Sequence, residues 1–130
     1  MLNGSPPSAA ANWPARNRLF VTVSNSKNGE VDERTYYHYR QAGDVISAEY
    51  HGGSILQGFI LGKVSGDGFV IVYQHLNRNM EFRTGKCVST PKVLSDGRVR
   101  IDQKWEWTNG DLSKGESAVE EVSAAETERP

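Results

Sequence analysis

A chain of 130 residues, of which 37% are hydrophobic, has enough apolar side chains for one core, so we expect one folded domain. Its 15 Lys and Arg residues nearly balance its 16 Asp and Glu residues, for a formal net charge of -1. The chain therefore lacks the excess of basic residues that is typical of proteins that bind nucleic acid or anionic lipid. The single cysteine, Cys87, excludes an internal disulfide and a zinc site built from thiolates. Neither a secretory signal at Met1 nor a stretch of membrane-spanning length is recognisable, so we expect a cytoplasmic protein with no nucleic-acid or membrane partner.

Both ends of the chain have a composition that is typical of flexible segments. Residues 1–17 are rich in Ala, Pro, Ser and Asn and poor in bulky side chains, which predicts a flexible N-terminal tail. The polar residues 123–130 predict a flexible C-terminal tail, and residues 18–122 are left for the ordered domain. Trp13 is either a solvated residue of the first tail or a lid that docks on the domain.

Turn sequences divide the domain into eight short runs that are rich in β-branched and aromatic residues. In chain order the predicted strands are 18–24, 35–41, 45–51, 55–63, 69–76, 80–90, 98–108 and 116–122. Short connections favour antiparallel pairing of neighbours, and an open sheet of this kind would leave two exposed edges. We therefore predict an all-β fold, an antiparallel up-and-down barrel of about eight strands, whose interior is wide enough for side chains or one small ligand.

One strand has an unambiguous inner face. In the run 98–108, charged residues alternate with a set that is almost wholly apolar, and this set consists of Val99, Ile101, Gln103, Trp105 and Trp107. In the run 55–63, Gly58 and Gly62 predict strong curvature or a close approach of the backbone. Neither face is clearly apolar in the runs 69–76, 80–90 and 116–122, so their orientation stays open.

Polar side chains that point into so narrow a barrel either satisfy one another or contact a ligand. Gln103 lies between apolar neighbours, and it either makes a structural hydrogen bond or binds a ligand. Trp105 and Trp107 either fill the core or stack on a planar ligand. If Tyr73 and His75 face inward, they add polar groups near one mouth of the barrel, where His75 can act as an acid or a base.

Arg83 is either a surface residue or an inward-pointing cation that needs a carboxylate or an anionic ligand. Glu120 or Glu121 is the predicted carboxylate, because alternation along the last strand turns one of them inward. Cys87 is either a nucleophile, if His75 or Arg83 stabilises its thiolate, or a small buried apolar residue.

The loop that follows the first strand is crowded with short polar side chains. Such residues commonly bond their own backbone in turns, but loops at the open end of a barrel also bind ligands. Asn25 and Ser26 are therefore further candidate ligand contacts. The sequence predicts no catalytic motif, no metal site and no cofactor.

Several segments resemble a family of small bacterial proteins, and the likeness covers nearly all of residues 18–122. The segments are VSNSKNGEV (23–31), YHGG (50–53), YQHLN (73–77), GKCVSTP (85–91) and KWEWT (104–108). That family resembles the avidin-like and calycin-like β-barrels, and its members often carry the label N-acetylglutamate synthase. An acetyltransferase of the usual kind binds pyrophosphate at a helix N-terminus, and this sequence predicts no such helix. The biotin-binding residues of avidin cannot be matched to this sequence position by position, so the resemblance implies a fold and carries over no site residue.

Three hypotheses for function remain open at this point. The first, which we favour, is a non-catalytic barrel that binds a small, partly apolar ligand through Trp105, Trp107, Gln103, Tyr73 and Arg83. The second is an enzyme that uses His75 with Glu120 or Glu121 as acid and base. The third is a structural or interaction protein with a filled barrel. The ligand and the oligomeric state are not specified by the sequence.

Overall fold

The computed structural model describes residues 18–122, which form eight antiparallel strands closed into a barrel. The strands are β1 Arg18–Asn25, β2 Tyr36–Ala42, β3 Val45–Gly52, β4 Ile55–Ser65, β5 Gly68–Asn77, β6 Phe82–Val93, β7 Val99–Trp107 and β8 Lys114–Glu121. They pair in sequence order, and β1 also pairs with β8, so that no edge is left open. The predicted all-β fold and the closed barrel are thus confirmed. The predictions for the two tails and for Trp13 concern residues outside the described range.

Strict alternation of side chains decides which residues face the interior. The inner face predicted for β7 is confirmed, because Val99, Ile101, Gln103, Trp105 and Trp107 are all buried. The structure also shows the orientation of β5 and β6, two of the three strands that the sequence leaves open. The inward set of β5 is Phe69, Ile71, Tyr73 and His75, and the inward set of β6 is Arg83, Gly85, Cys87 and Ser89.

Glycines on the inner face let tyrosine rings lie flat against neighbouring strands. A Cβ atom added at Gly58 would stand 2.3 Å from the ring of Tyr50, and one added at Gly85 would stand 2.2 Å from the ring of Tyr73. No side chain fits at such distances, so these two glycines fix the positions of two aromatic walls.

The two ends of the barrel are packed differently. We call the end that carries the β1–β2, β3–β4, β5–β6 and β7–β8 connections the upper end. The lower half is filled by large side chains with almost no exposed surface, namely Phe20, Tyr39, Ile46, Phe69, Ile101 and Val119. Across the upper end runs the longest connection, residues 26–35 between β1 and β2, which we call the β1–β2 loop. Within residues 18–122 there is no helix long and apolar enough to cross a bilayer.

Candidate functional site

A cavity occupies the upper half of the barrel, beneath the β1–β2 loop. The cavity has a volume of about 50 Å³. Its walls are formed by residues of all eight strands and of the loop, namely Asn25, Gly29, Glu30, Val31, Tyr37, Tyr50, Ile60, Ile71, Tyr73, His75, Cys87, Gln103, Trp105, Trp107 and Ser117. The lining is mostly aromatic and apolar with a few polar groups, which is the usual composition of small-molecule sites.

Aromatic rings form one continuous side of the cavity. The ring centroids of Trp105 and Trp107 are 5.3 Å apart, and Tyr73 meets Trp107 edge to face at 5.9 Å. On the far side of this group, the guanidinium carbon of Arg83 lies 3.8 Å from the centre of a ring of Trp107. A cation at that distance is attracted by the negative face of the ring, so Arg83 fixes the position of Trp107.

The β1–β2 loop is tied to this aromatic side. The indole N–H of Trp105 donates to Oδ1 of Asn25 at 3.0 Å, and the indole N–H of Trp107 donates to the carbonyl of Asn28 at 3.2 Å. The amide of Asn25 in turn donates to the carbonyl of Val31 at 2.9 Å. Both tryptophans therefore have their polar atoms satisfied, Trp105 by the last residue of β1 and Trp107 by the loop, and their apolar faces remain for the cavity.

At the upper mouth, the carboxylate of Glu30 is held by three side chains, and we call these four residues the Glu30 cluster. Nε2 of His75 donates to Oε1 at 2.8 Å, and Nη1 of Arg83 donates to Oε2 at 2.9 Å. The amide of Asn77 lies 3.3 Å from Oε1 and 3.4 Å from Oε2. The two oxygens thus receive charge-assisted bonds from separate strands, β5 and β6.

Protonation in the Glu30 cluster follows from burial and from these bonds. Burial lowers the pKa of His75, and the neighbouring Glu30 only partly opposes this. Burial would raise the pKa of Glu30, but the hydrogen bonds from His75 and Asn77 and the charge of Arg83 outweigh it, so that pKa is lowered. At neutral pH the cluster therefore contains a neutral imidazole, an ionised carboxylate and a guanidinium.

The tautomer of His75 is set by its other neighbour. The hydroxyl of Tyr50 lies 2.8 Å from Nδ1 of His75, and burial raises the pKa of Tyr50 well above that of a free phenol. Tyr50 therefore keeps its proton and donates it to Nδ1, which leaves Nε2–H to donate to Glu30. Tyr50, His75 and Glu30 form one hydrogen-bonded chain from the cavity wall to the mouth.

A second group of polar side chains forms the floor of the cavity. The hydroxyl of Ser117 donates to Oε1 of Gln103 at 2.9 Å, and the side-chain amide of Gln103 also hydrogen bonds the hydroxyl of Tyr39. All three side chains are buried. Gln103 therefore makes the structural hydrogen bonds that were one of its two predicted roles, and its side chain also borders the cavity.

The structure brings together most of the residues that the sequence singled out. Seven of them line the cavity, namely Asn25, Tyr73, His75, Cys87, Gln103, Trp105 and Trp107. Arg83 is at the mouth, bonded to Glu30. Ser26 is not brought to the cavity, because its backbone N–H and its hydroxyl both bond the backbone of Glu116 and prolong the pairing of β1 with β8.

The predicted partnership of Glu120 or Glu121 with His75 or Arg83 is wrong. Both glutamates lie at the lower end of the barrel, where Glu121 accepts bonds from Arg18 at 2.9 Å and Glu120 accepts one from Arg100 at 2.8 Å. β8 ends at Glu121, so its last residues meet the arginines of the lower rim. The carboxylate that His75 and Arg83 share is Glu30.

Cys87 lies in the cavity wall and is buried. Burial raises the pKa of its thiol to about 11, and its sulfur lies 3.3 Å from the hydroxyl of Ser89. An un-ionised thiol is a poor nucleophile, so its surroundings favour the apolar role over the reactive one. Within the part of the chain that the structure describes, no group of three or more His, Cys, Asp or Glu side chains is arranged to hold a metal ion.

In the hydrogen-bonded group at the upper mouth, three residues were not among the predicted site residues, namely Glu30, Tyr50 and Asn77. Glu30 lies 45 residues before His75 in the sequence and 53 before Arg83, so no local spacing connects them. The only available signal is its place in the long polar loop at an open end of the barrel, and that signal does not separate Glu30 from its neighbours.

Comparison with known proteins gives one result. The model of a family described as "Avidin-like protein" matches residues 15–122. No curated protein and no solved structure matches the chain.

Proposed function

Because the chain belongs to the avidin-like protein family, we propose that it binds a small, partly apolar molecule in the cavity of the upper half of the barrel and does not transform it. One observation carries the proposal. The lower half of the same barrel is filled by large side chains, whereas the upper half keeps free space between aromatic walls. A barrel that works only as a scaffold gains stability from filling that space, since unfilled apolar volume is costly.

The chemistry of the walls supports a compact ligand with one apolar side. Trp105, Trp107 and Tyr73 offer ring surface, while the amide of Gln103 at the floor and the Glu30 cluster at the mouth offer hydrogen bonds. With the loop in its present position the free space suits a molecule of a few heavy atoms, and a larger one requires the β1–β2 loop to move. This loop contains no strand, so a shift of it leaves the barrel intact.

An acid–base function would use His75 with Glu30 in place of Glu120 or Glu121. Both ring nitrogens of His75 are hydrogen bonded, one to Tyr50 and one to Glu30, so neither nitrogen is free to exchange a proton with a ligand while the loop is closed. This arrangement supports binding over catalysis.

Native mass spectrometry of the protein purified from its own host tests the proposal. We expect a co-purifying mass that is released on unfolding and is absent from Cys87→Phe, because a phenylalanine ring there would fill part of the cavity. The matched control is Val88→Phe, since Val88 is the next residue on the same strand and points to solvent. The proposal fails if several preparations yield only the bare chain, or if folded Cys87→Phe carries the same mass as the wild type.

A further inference from the structure

Glu30 makes its bonds as a side chain of a loop and not as part of the barrel wall. Its donors His75, Asn77 and Arg83 belong to the strands β5 and β6, whose pairing fixes them, whereas Glu30 belongs to the β1–β2 loop. The carboxylate therefore enters a prearranged set of donors from outside, as a ligand would.

The same loop segment separates two spaces. Residues 29–31 form part of the wall of the inner cavity, and they also form part of the wall of an outer depression. The rest of that depression is polar, and it is lined by Asp32, Ser54, Asn77, Arg78 and Asn79. Movement of residues 29–31 would join the depression to the cavity, so the way into the cavity passes Glu30.

We propose that His75, Asn77 and Arg83 form a carboxylate subsite, that Glu30 occupies it in the closed barrel, and that a small monocarboxylic acid with an apolar body displaces Glu30 and takes its place. This inference rests on the proposed function, because the apolar body must enter the cavity. It adds to that function the chemical class of the ligand and the way in which the ligand enters.

The donor set fits a carboxylate in particular. One oxygen faces His75 and the other faces Arg83, while Asn77 lies between them, which matches a planar group with two equivalent oxygens. The set contains one fixed positive charge, that of Arg83, and the amide of Asn77 is shared with the carboxylate of Glu81 at 3.2 Å. Nη2 of Arg83 is buried and has no hydrogen-bond partner among residues 18–122, and its nearest carboxylate oxygen, on Asp111, is 3.7 Å away. The guanidinium thus retains a donor that Glu30 does not use.

In this displacement one carboxylate replaces another. A ligand carboxylate would make the bonds that Glu30 gives up, and Glu30, whose side chain is about 20% exposed already, would move into water on a loop. The two sides of this exchange nearly cancel, so contacts of the ligand body with Trp105 and Trp107 decide the affinity. An uncharged analogue of the same shape gains those contacts but cannot replace the charge that Arg83 loses.

Matched acids and amides test this assignment directly. The probes are benzoate with benzamide and hexanoate with hexanamide, titrated calorimetrically against the full chain. The variants are Glu30→Gln, which removes the competing charge, Arg83→Met, which removes the cation, and Glu33→Gln as the control. Glu33 is an exposed residue of the same loop, so its replacement makes the same change in net charge outside the subsite.

We expect Glu30→Gln to raise the ratio of acid affinity to amide affinity about tenfold, because the intramolecular competitor is gone. Arg83→Met should bring the ratio close to one, and Glu33→Gln should leave it at the wild-type value. Equal binding of acid and amide by the wild type and by Glu30→Gln would overturn the subsite while leaving the proposed function intact. Failure of all four probes to bind any variant would also overturn it, and the co-purification experiment then judges the proposed function separately.

Hydrogen exchange in the wild type tests the displacement of Glu30 without the use of any variant. The amides of Gly29 and Asp32 are hydrogen bonded within the loop, to the carbonyl of Ser26 and to the hydroxyl of Thr35. If the acid displaces Glu30, saturating benzoate should speed exchange at these amides and benzamide should not. Equal or slower exchange with benzoate would show that Glu30 stays in place.

Discussion

Replacing Gln103 by leucine removes the amide at the floor of the cavity and leaves two buried hydroxyls, those of Ser117 and Tyr39, without their partner. A buried polar group that loses its bond costs about 1–3 kcal/mol. The apolar surface of leucine returns about 1 kcal/mol of this. We therefore expect a net loss of about 2 kcal/mol in the free energy of unfolding, which for a domain of this size lowers Tm by roughly 10 °C.

Thermal and urea unfolding followed by circular dichroism measure this loss. The matched control is Gln74→Leu, the same change on the outer face of β5, which should stay within about 0.5 kcal/mol of the wild type. Adding Ser117→Ala to Gln103→Leu should restore part of the stability, because one of the two hydroxyls that lost their hydrogen-bond partner is then absent. A rise in Tm for Gln103→Leu would refute the structural role and would indicate that the amide is kept for a ligand at a cost in stability.

Three further predictions concern the Glu30 cluster, Gly85 and Cys87. Because the folded state lowers the pKa of His75 from 6.5 and that of Glu30 from 4.5, the unfolded chain binds more protons just below each value, and stability should fall on acidification first below about pH 6.5 and again below about 4.5. Gly85→Ala should cost about 1–3 kcal/mol, since its Cβ would meet the ring of Tyr73. Cys87, with a pKa of about 11, should react with a disulfide reagent at neutral pH about a hundredfold more slowly than a free thiol.

Each of these three predictions would be contradicted by a specific result. Urea unfolding of the wild type and of Glu30→Gln from neutral pH downward isolates the cluster, and identical pH profiles would show that it does not set the acid sensitivity. Unchanged stability of Gly85→Ala would mean that the ring of Tyr73 is free to move. Rapid labelling of Cys87 would mean that the cavity is open to reagents and that its thiol is not desolvated.

The barrel itself was predictable because its signals are local. Turn residues mark the ends of the strands, and in β7 the alternation of charged residues with Ile101, Trp105 and Trp107 gives both the strand and its inner face. The orientation of β5 was not predictable, because Val70 and Val72 are apolar and yet lie exposed on the outer face, so both faces look alike in the sequence.

Only part of the candidate site was predictable, because some of its contacts join residues that are far apart in the sequence. The strand residues around the cavity follow from alternation once the barrel closes, but the carboxylate that completes the site comes from a loop. Glu30 reaches His75 and Arg83 only through the fold of the β1–β2 loop across the upper end. Alternation also suggested an inward glutamate in β8. Glu120 and Glu121 are the last two residues of that strand, however, and they form ion pairs with arginines at the lower end of the barrel.

The most direct test of ligand binding in the upper half of the barrel is a crystal structure of the protein purified from its own host, without added small molecules. We expect continuous non-protein density between Trp105, Trp107 and Tyr73, with its polar end at Gln103 or at the Glu30 cluster. Density for water alone in that space, reproduced in crystals from independent preparations that were never denatured, would contradict ligand binding as the function of the cavity.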